Sequence, residues 1–274
     1  MNVYYPPADF WWTAWTFDPS IWFGIVILHG AYLLIVGPLR MRFRASVPIT
    51  SRQLTFWTLG ILTLIVALIT PLSTLSDQYL FSAHMLQHVL LTLVAPPLML
   101  LGLPSWFFEP LRTRPALLQF ARSLTNPFFA FAAFNVIFVS WHIPMFYNLA
   151  LYSSFIHLLE HASMIFTALL LWMPILSPTK LLPRLPLPVQ VLYIFLASII
   201  GTGLGAILTL APQPIYIFYT QAPRIWGISA LDDQIWAGLI MWIGAGMILL
   251  LALTIVFFRW FGAKGPIEGE HEFI

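Results

Sequence analysis

Residues 80–104 read LFSAHMLQHVLLTLVAPPLMLLGLP. The stretch is long and apolar enough to cross a bilayer as a helix, which takes about 20 such residues. Near its start it carries His84, Met85 and His88, and its later half carries Pro96-Pro97. Side chains four apart share one helix face, about 6 Å from each other. Polar groups in lipid are expensive, so two imidazoles on one face of a span point to function. The proline pair predicts a kink in the later half of the helix.

Outward from this stretch, the chain has 274 residues, 60% hydrophobic and 8% charged, with a mean hydropathy of +0.88. A soluble domain carries about 25% charged residues. No single soluble core hides this much apolar surface, so the chain is a polytopic membrane protein. The formal net charge is only +2, and no basic patch interleaved with aromatics occurs in a soluble segment, which leaves nucleic-acid binding without support. There are no cysteines. That excludes disulfides, thiolate zinc sites and iron–sulfur clusters, and leaves His, Met, carboxylate or backbone oxygen to hold any metal. The opening MNVYYPPADF lacks a basic n-region and a small-residue cleavage site, so it does not read as a signal peptide.

Residues 1–20 are rich in aromatics, including Tyr4, Tyr5, Phe10, Trp11, Trp12, Trp15 and Phe17. They read as an interfacial belt or a surface-lying segment. Seven apolar spans follow, near Ile21–Leu39, Leu54–Thr70, Tyr79–Leu101, Asn126–His142, Ser153–Met173, Val189–Leu210 and Asp233–Phe258. The expected fold is an all-α membrane protein, a single seven-transmembrane-helix bundle over residues 1–262. A short acidic cytoplasmic tail follows over 263–274, where His271 is solvated. The loops after spans one, three and five and the tail after span seven hold eleven of the twelve Lys and Arg residues, and the other side holds only Arg224. By the positive-inside rule the N-terminus is outside and the C-terminus cytoplasmic.

That orientation turns scattered histidines into a cluster. His84 and His88 lie roughly 7 and 13 Å below the outer start of span three. Span five also enters from outside and carries HLLEHASM, with His157, Glu160, His161 and Met164. His157 and His161 are again four apart, at nearly the same two depths. His142 ends span four at the outer edge, and Asp233 starts span seven there. Imidazole and thioether without thiolate suit copper, and imidazole with carboxylate also suits zinc or iron. Met85 and Met164 fit either a thioether ligand or core packing. His142 fits a ligand or a helix-end hydrogen bond, and Glu160 fits a partner that fixes an imidazole tautomer or a plain buried hydrogen-bonder. His29 reads as a structural group bonded to a neighbour. The run His157–His161 also matches the inverted zinc-protease motif H-x-x-E-H, which a single match inside a span supports only weakly. Gly201 and Gly205 form a GxxxG in span six, and Gly238, Gly244 and Gly246 mark span seven; both read as close helix packing. The outer loop Ala211–Asp232 fits a cap over the histidines, a docking surface or an aromatic anchor.

Four pieces carry a family resemblance: HMLQHVLLTLVAPPLMLLGLP (84–104), WHIP (141–144), HLLEH (157–161) and DQIWAGLIMW (233–242). In this order the chain resembles the CtaG family of polytopic bacterial membrane proteins needed for cytochrome c oxidase assembly, over roughly residues 30–260. The resemblance implies a role in maturing a haem–copper oxidase, in the bacterial cytoplasmic membrane, with an oxidase subunit as partner. The leading expectation is a non-enzymatic assembly factor. It binds copper through His84, His88, His157 and His161, with His142, Asp233, Met85 or Met164 completing the site. Two alternatives stand beside it: a redox protein whose paired histidines hold haem, and a non-catalytic subunit of a respiratory complex whose histidines are structural.

Overall fold

A computed structural model describes residues 3–43 and 46–263. Arg44, Lys264, His271 and the acidic tail from 264 onward lie outside the described residues. Besides a one-turn helix at Phe10–Thr13 and two 3-10 segments at Arg40–Arg42 and Ser105–Leu111, the helices in chain order are α1 (Pro19–Val36), α2 (Ser51–Leu68), the short α3 (Pro71–Gln78), α4 (Phe81–Gly102), α5 (Pro115–Leu124), α6 (Pro127–His142), α7 (Pro144–Tyr152), α8 (Ser154–Leu176), α9 (Leu187–Leu210), α10 (Ile217–Gln221) and α11 (Ala230–Gly262). Six of them, α1, α2, α4, α8, α9 and α11, are long and apolar enough to cross a membrane. The remaining expected span, span four, is α6, which has 16 residues. It reaches spanning length only together with α5, to which it is bent by 57°. The molecule is a multi-pass helical membrane protein with six spans, or seven if that bent pair counts as one.

Local chemistry sets the helix starts. Pro19, Pro71 and Pro127 occupy first-turn positions, where a missing N–H is harmless. Each follows a side chain that caps the freed amides: Asp18 accepts from Ser20 N, Thr70 from Leu72 N and Asn126 from Phe128 N. Thr50 and Gln53 cap each other reciprocally at the start of α2.

Helix α4 lies at the centre. In its spanning window 67% of residues are buried, against 17% in α1 and in α11. On one side it packs with α1 and α2 through Tyr32, Trp57, Leu64, Leu91 and Met99. On the other, Leu93 and Leu100 join Phe134, Leu171, Ile194 and Leu249. Large apolar side chains such as Phe23, Phe128, Val136, Phe195 and Leu251 are exposed, as on a lipid-facing surface. His84, Gln87, His88, Glu160 and His161 are buried. Polar residues inside and apolar residues outside is the pattern of a bundle that bonds its own polar groups away from lipid.

The proline pair does not break α4. A π-helical turn over Leu90–Val94 precedes it, and α-helix resumes from Ala95 to Gly102. Pro96 and Pro97 lack the N–H groups that would reach Thr92 O by an α or a π bond. Trp172 of α8 supplies the missing donor, with its indole Nε1 3.0 Å from Thr92 O. That bond fastens α4 to α8 one turn below the histidines. A second π turn interrupts α11 at Ile240–Gly244.

The glycines of span six behave differently from the sequence expectation. A Cβ on Gly205 would fall 2.7 Å from Trp242 N and 2.8 Å from Gly238 O. A Cβ on Gly238 would fall 2.6 Å from Thr209 N. The α9–α11 contact therefore needs glycine at both. Gly201, Gly203 and Gly246 face open space, and Gly244 has only one neighbour, at 4.0 Å. Close packing thus holds at one glycine of the GxxxG and fails at the other.

The N-terminal segment folds over the end of the bundle that carries the histidines. Val3–Tyr4 (β1) pairs in parallel with Arg224–Ile225 (β2). Tyr4 stacks on Tyr79, and Phe10 is buried with Leu75, Leu80 and Ile225. Trp12 and Phe17 remain exposed. At the opposite end the basic loops meet: Arg122 Nε donates to Leu181 O at 3.1 Å and Trp106 Nε1 to Val47 O at 3.1 Å.

Candidate metal centre

Helices α4 and α8 are neighbours, and their histidine faces meet. The ring centroids of His88 and His161 are 5.7 Å apart, and those of His84 and His161 are 5.9 Å apart. One ligand atom from each of His84, His88, Glu160 and His161 lies within 4.8 Å of the others. His84 Nε2 and His88 Nε2 are 2.7 Å apart. Glu160 Oε1 is 3.4 Å from His88 Nε2 and 3.9 Å from His84 Nε2. All four residues are buried.

Hydrogen bonds around the cluster orient its rings. The Tyr219 hydroxyl donates to Ser76 O at 2.8 Å, so its oxygen accepts from His84 Nδ1 at 3.1 Å. His84 then carries its proton on Nδ1 and presents a lone pair at Nε2. Burial pushes the Tyr219 phenol well above its ordinary range, which keeps it a neutral donor. His142 Nδ1 donates to Phe138 O at 2.6 Å, leaving a lone pair on its Nε2. A ligating imidazole is commonly oriented in this way, its other N–H held by a hydroxyl or carbonyl. Among the described residues, both oxygens of Glu160, His161 Nε2, His88 Nδ1, His142 Nε2 and His157 Nε2 are buried without a hydrogen-bond partner. A buried carboxylate with neither oxygen paired is costly. A cation among three imidazoles and that carboxylate gives a partner to Glu160 and to His161 Nε2, so the residues present fit a metal ion.

The remaining sequence candidates separate. His157 belongs to a second group, with Asp77 and His84, whose donor atoms also lie within 4.8 Å of one another. Its Nε2 is 3.8 Å from Asp77 Oδ1. Burial pushes the Asp77 carboxyl up, while the His157 imidazole and the Ser76 and Ser73 hydroxyls draw it back. His142 and Met85 line, with His88, a small cavity of about 40 Å³ bounded by Gly201 and Gly246. It is large enough for a water molecule. Met85 otherwise packs with Phe81, Tyr147 and Met241, and Met164 is fully buried. Asp233 stands apart from both groups. Its Oδ2 accepts from Phe81 N at 2.7 Å and its Oδ1 from Ser82 N at 3.0 Å, so the carboxylate caps the helix that carries His84 and His88. Leu80, at the cap position itself, has no side-chain hydrogen bond to give.

Several contributors were not among the candidate site residues of the sequence. Asp77 lies on a short polar helix between two spans, and no periodicity marks it. Gln87 joins Ser76 Oγ at 2.7 Å to Ala67 O at 2.8 Å. Gln234 accepts from Ile215 N at 2.7 Å, anchoring the loop that holds Tyr216 and Tyr219. That loop caps the cluster: Tyr219 reaches His84, and Tyr216 OH donates to His142 O at 2.8 Å. His29 accepts from Trp57 Nε1 at 3.3 Å and ties α1 to α2.

Fold and site together define a class, the multi-pass helical membrane protein with a buried, thiol-free histidine and glutamate cluster at one end. The cytochrome c oxidase caa3 assembly factor family (Caa3_CtaG) matches residues 30–263. The chain belongs to that family. No curated protein and no solved structure matches it.

Proposed function

We propose that the protein binds copper among His84, His88, Glu160 and His161 and helps deliver it to a subunit of a haem–copper cytochrome c oxidase. The observation that carries this reading is Glu160, buried with both oxygens unpaired and 3.4 Å from His88 Nε2. A cation offsets the cost of that carboxylate and uses the lone pair that Tyr219 leaves on His84. Three imidazoles and one carboxylate, with Met85 and Met164 on the same helices, suit copper. Copper here is cargo, held by exchangeable side chains and released by ligand exchange. The protein acts as an assembly factor and not as an enzyme.

The proposed setting is the cytoplasmic membrane of a bacterium, with the N-terminus and the histidine end outside and the basic loops in the cytoplasm. The support is the charge asymmetry, eleven of twelve Lys and Arg residues in the loops and tail of one side. Haem held by His88 and His161 is the competing reading. Perpendicular rings 5.7 Å apart, with Glu160 beside them, favour a compact ion over a macrocycle, and a Soret band in the purified protein would favour haem.

The test is complementation in cells that lack the chain. Wild type should restore oxidase activity. Glu160→Gln and His88→Ala/His161→Ala should accumulate in the membrane yet restore little activity, with oxidase copper falling in parallel. Full activity with these variants would remove the metal site from the function.

A further inference from the structure

Three features of the second group stand out. It shares His84 with the buried cluster, so the two sets of donors are joined by one side chain. It is more accessible: the Asp77 and His157 side chains are 29% and 17% exposed, whereas those of His84 and Glu160 are fully buried. It also opens onto a cavity of about 610 Å³, lined by Asp77, His157 and His161 and walled by Gly24 and Ile25 of α1 and Ile165 of α8. On another side His84 is covered by Tyr147, ring centroids 5.1 Å apart, and by the Tyr219 hydroxyl.

We propose that Asp77, His157 and His84 form a loading station, where a hydrated transition-metal cation from the cavity is first captured before it moves to the buried cluster. This rests on the reading of that cluster as a metal site. One carboxylate and two imidazoles suit Cu(II) or Zn(II). Asp77 and His157 stand 3.8 Å apart, too far for a hydrogen bond and with His157 Nε2 unpartnered. Transfer proceeds by ligand exchange without change of oxidation state. The ion keeps His84 throughout and trades Asp77 and His157 for Glu160, His88 and His161. The rings lie close together, 4.2 Å between His157 and His161 and 5.5 Å between His157 and His84, so the ligands can be exchanged one by one without the ion leaving the protein.

The test uses the full chain in detergent with Cu(II) chloride as the probe. Uptake is followed by stopped-flow quenching of tryptophan fluorescence, and retained copper is measured after gel filtration. Asp77→Asn/His157→Gln should load at least tenfold more slowly than wild type yet retain the same copper at equilibrium. Gly24→Phe places a ring at the cavity wall on a residue that is not a ligand, where a Cβ meets nothing within 4 Å, and should also slow loading with retention unchanged. Loading of both variants within twofold of wild type would overturn the station and leave the buried site standing. Loss of retained copper in folded Asp77→Asn/His157→Gln would also overturn it, because the two groups would then be one site. A wild-type chain that retains no copper would overturn the buried site and the station with it.

Discussion

At the scale of single residues, the histidines depend on neighbours that are not ligands. Tyr219→Phe removes the acceptor of His84 Nδ1–H and the donor to Ser76 O. A group that orients a ligating imidazole is worth about 10–100-fold in metal affinity. Tyr219→Phe should therefore weaken copper binding by that factor in a chelator competition while leaving the ion count unchanged. Asp233→Ala strips the cap from two amides of α4. It should lower stability by about 1–3 kcal/mol, read as an earlier thermal unfolding transition, and leave the proposed metal ligands themselves intact. The two residues differ in how far the sequence revealed them. The meeting of His84, His88 and His161 was legible because four-residue spacing puts each pair on one helix face and counting from the span starts gives the two pairs matching depths. Asp233 carried the same acidic signal as a ligand, and only the meeting of α11 with the start of α4 shows that its oxygens are used for capping. Asp77 and Tyr219 come from short segments outside the spans, where their meeting depends on tertiary packing.

At the scale of elements, α4 is held where it is by bonds that replace its own lost ones. Trp172→Phe leaves Thr92 O unpaired next to Pro96, which should destabilise the chain by about 1–3 kcal/mol. Pro96→Ala returns a backbone N–H within α-helical reach of that oxygen. The double variant should thus lose less stability than the sum of the two, a coupling that a double-mutant cycle in chemical denaturation measures. The sequence marked the proline pair as a kink. It could not show that a π turn and an indole from another helix absorb the disruption, since that donor lies 80 residues away. The glycines follow the same logic. Gly205→Ala drives a methyl group onto the backbone of α11 and should destabilise by about 1–3 kcal/mol. Gly201→Ala enters open space and should stay within about 0.5 kcal/mol of wild type. Spacing alone makes these two glycines look alike, and packing separates them.

At the scale of the whole molecule, the inside-out distribution of polar groups was the most legible property, because composition and loop charges fix it without any contact. The bundle gathers imidazoles and a carboxylate where polar groups are expensive, and an aromatic cap from Tyr147, Tyr216 and Tyr219 closes over them. Helices α5 and α6 were less legible. Their combined length suits a span, but a 57° bend is set by how they pack and not by their hydropathy. The central claim is that the buried cluster holds copper through nitrogen and oxygen donors. Its most direct test is X-ray absorption at the copper edge on the purified, copper-loaded chain. The account predicts one tightly held copper per chain with imidazole scattering, lost in His88→Ala/His161→Ala. Copper bound without imidazole scattering, or a spectrum unchanged in that variant, would contradict it.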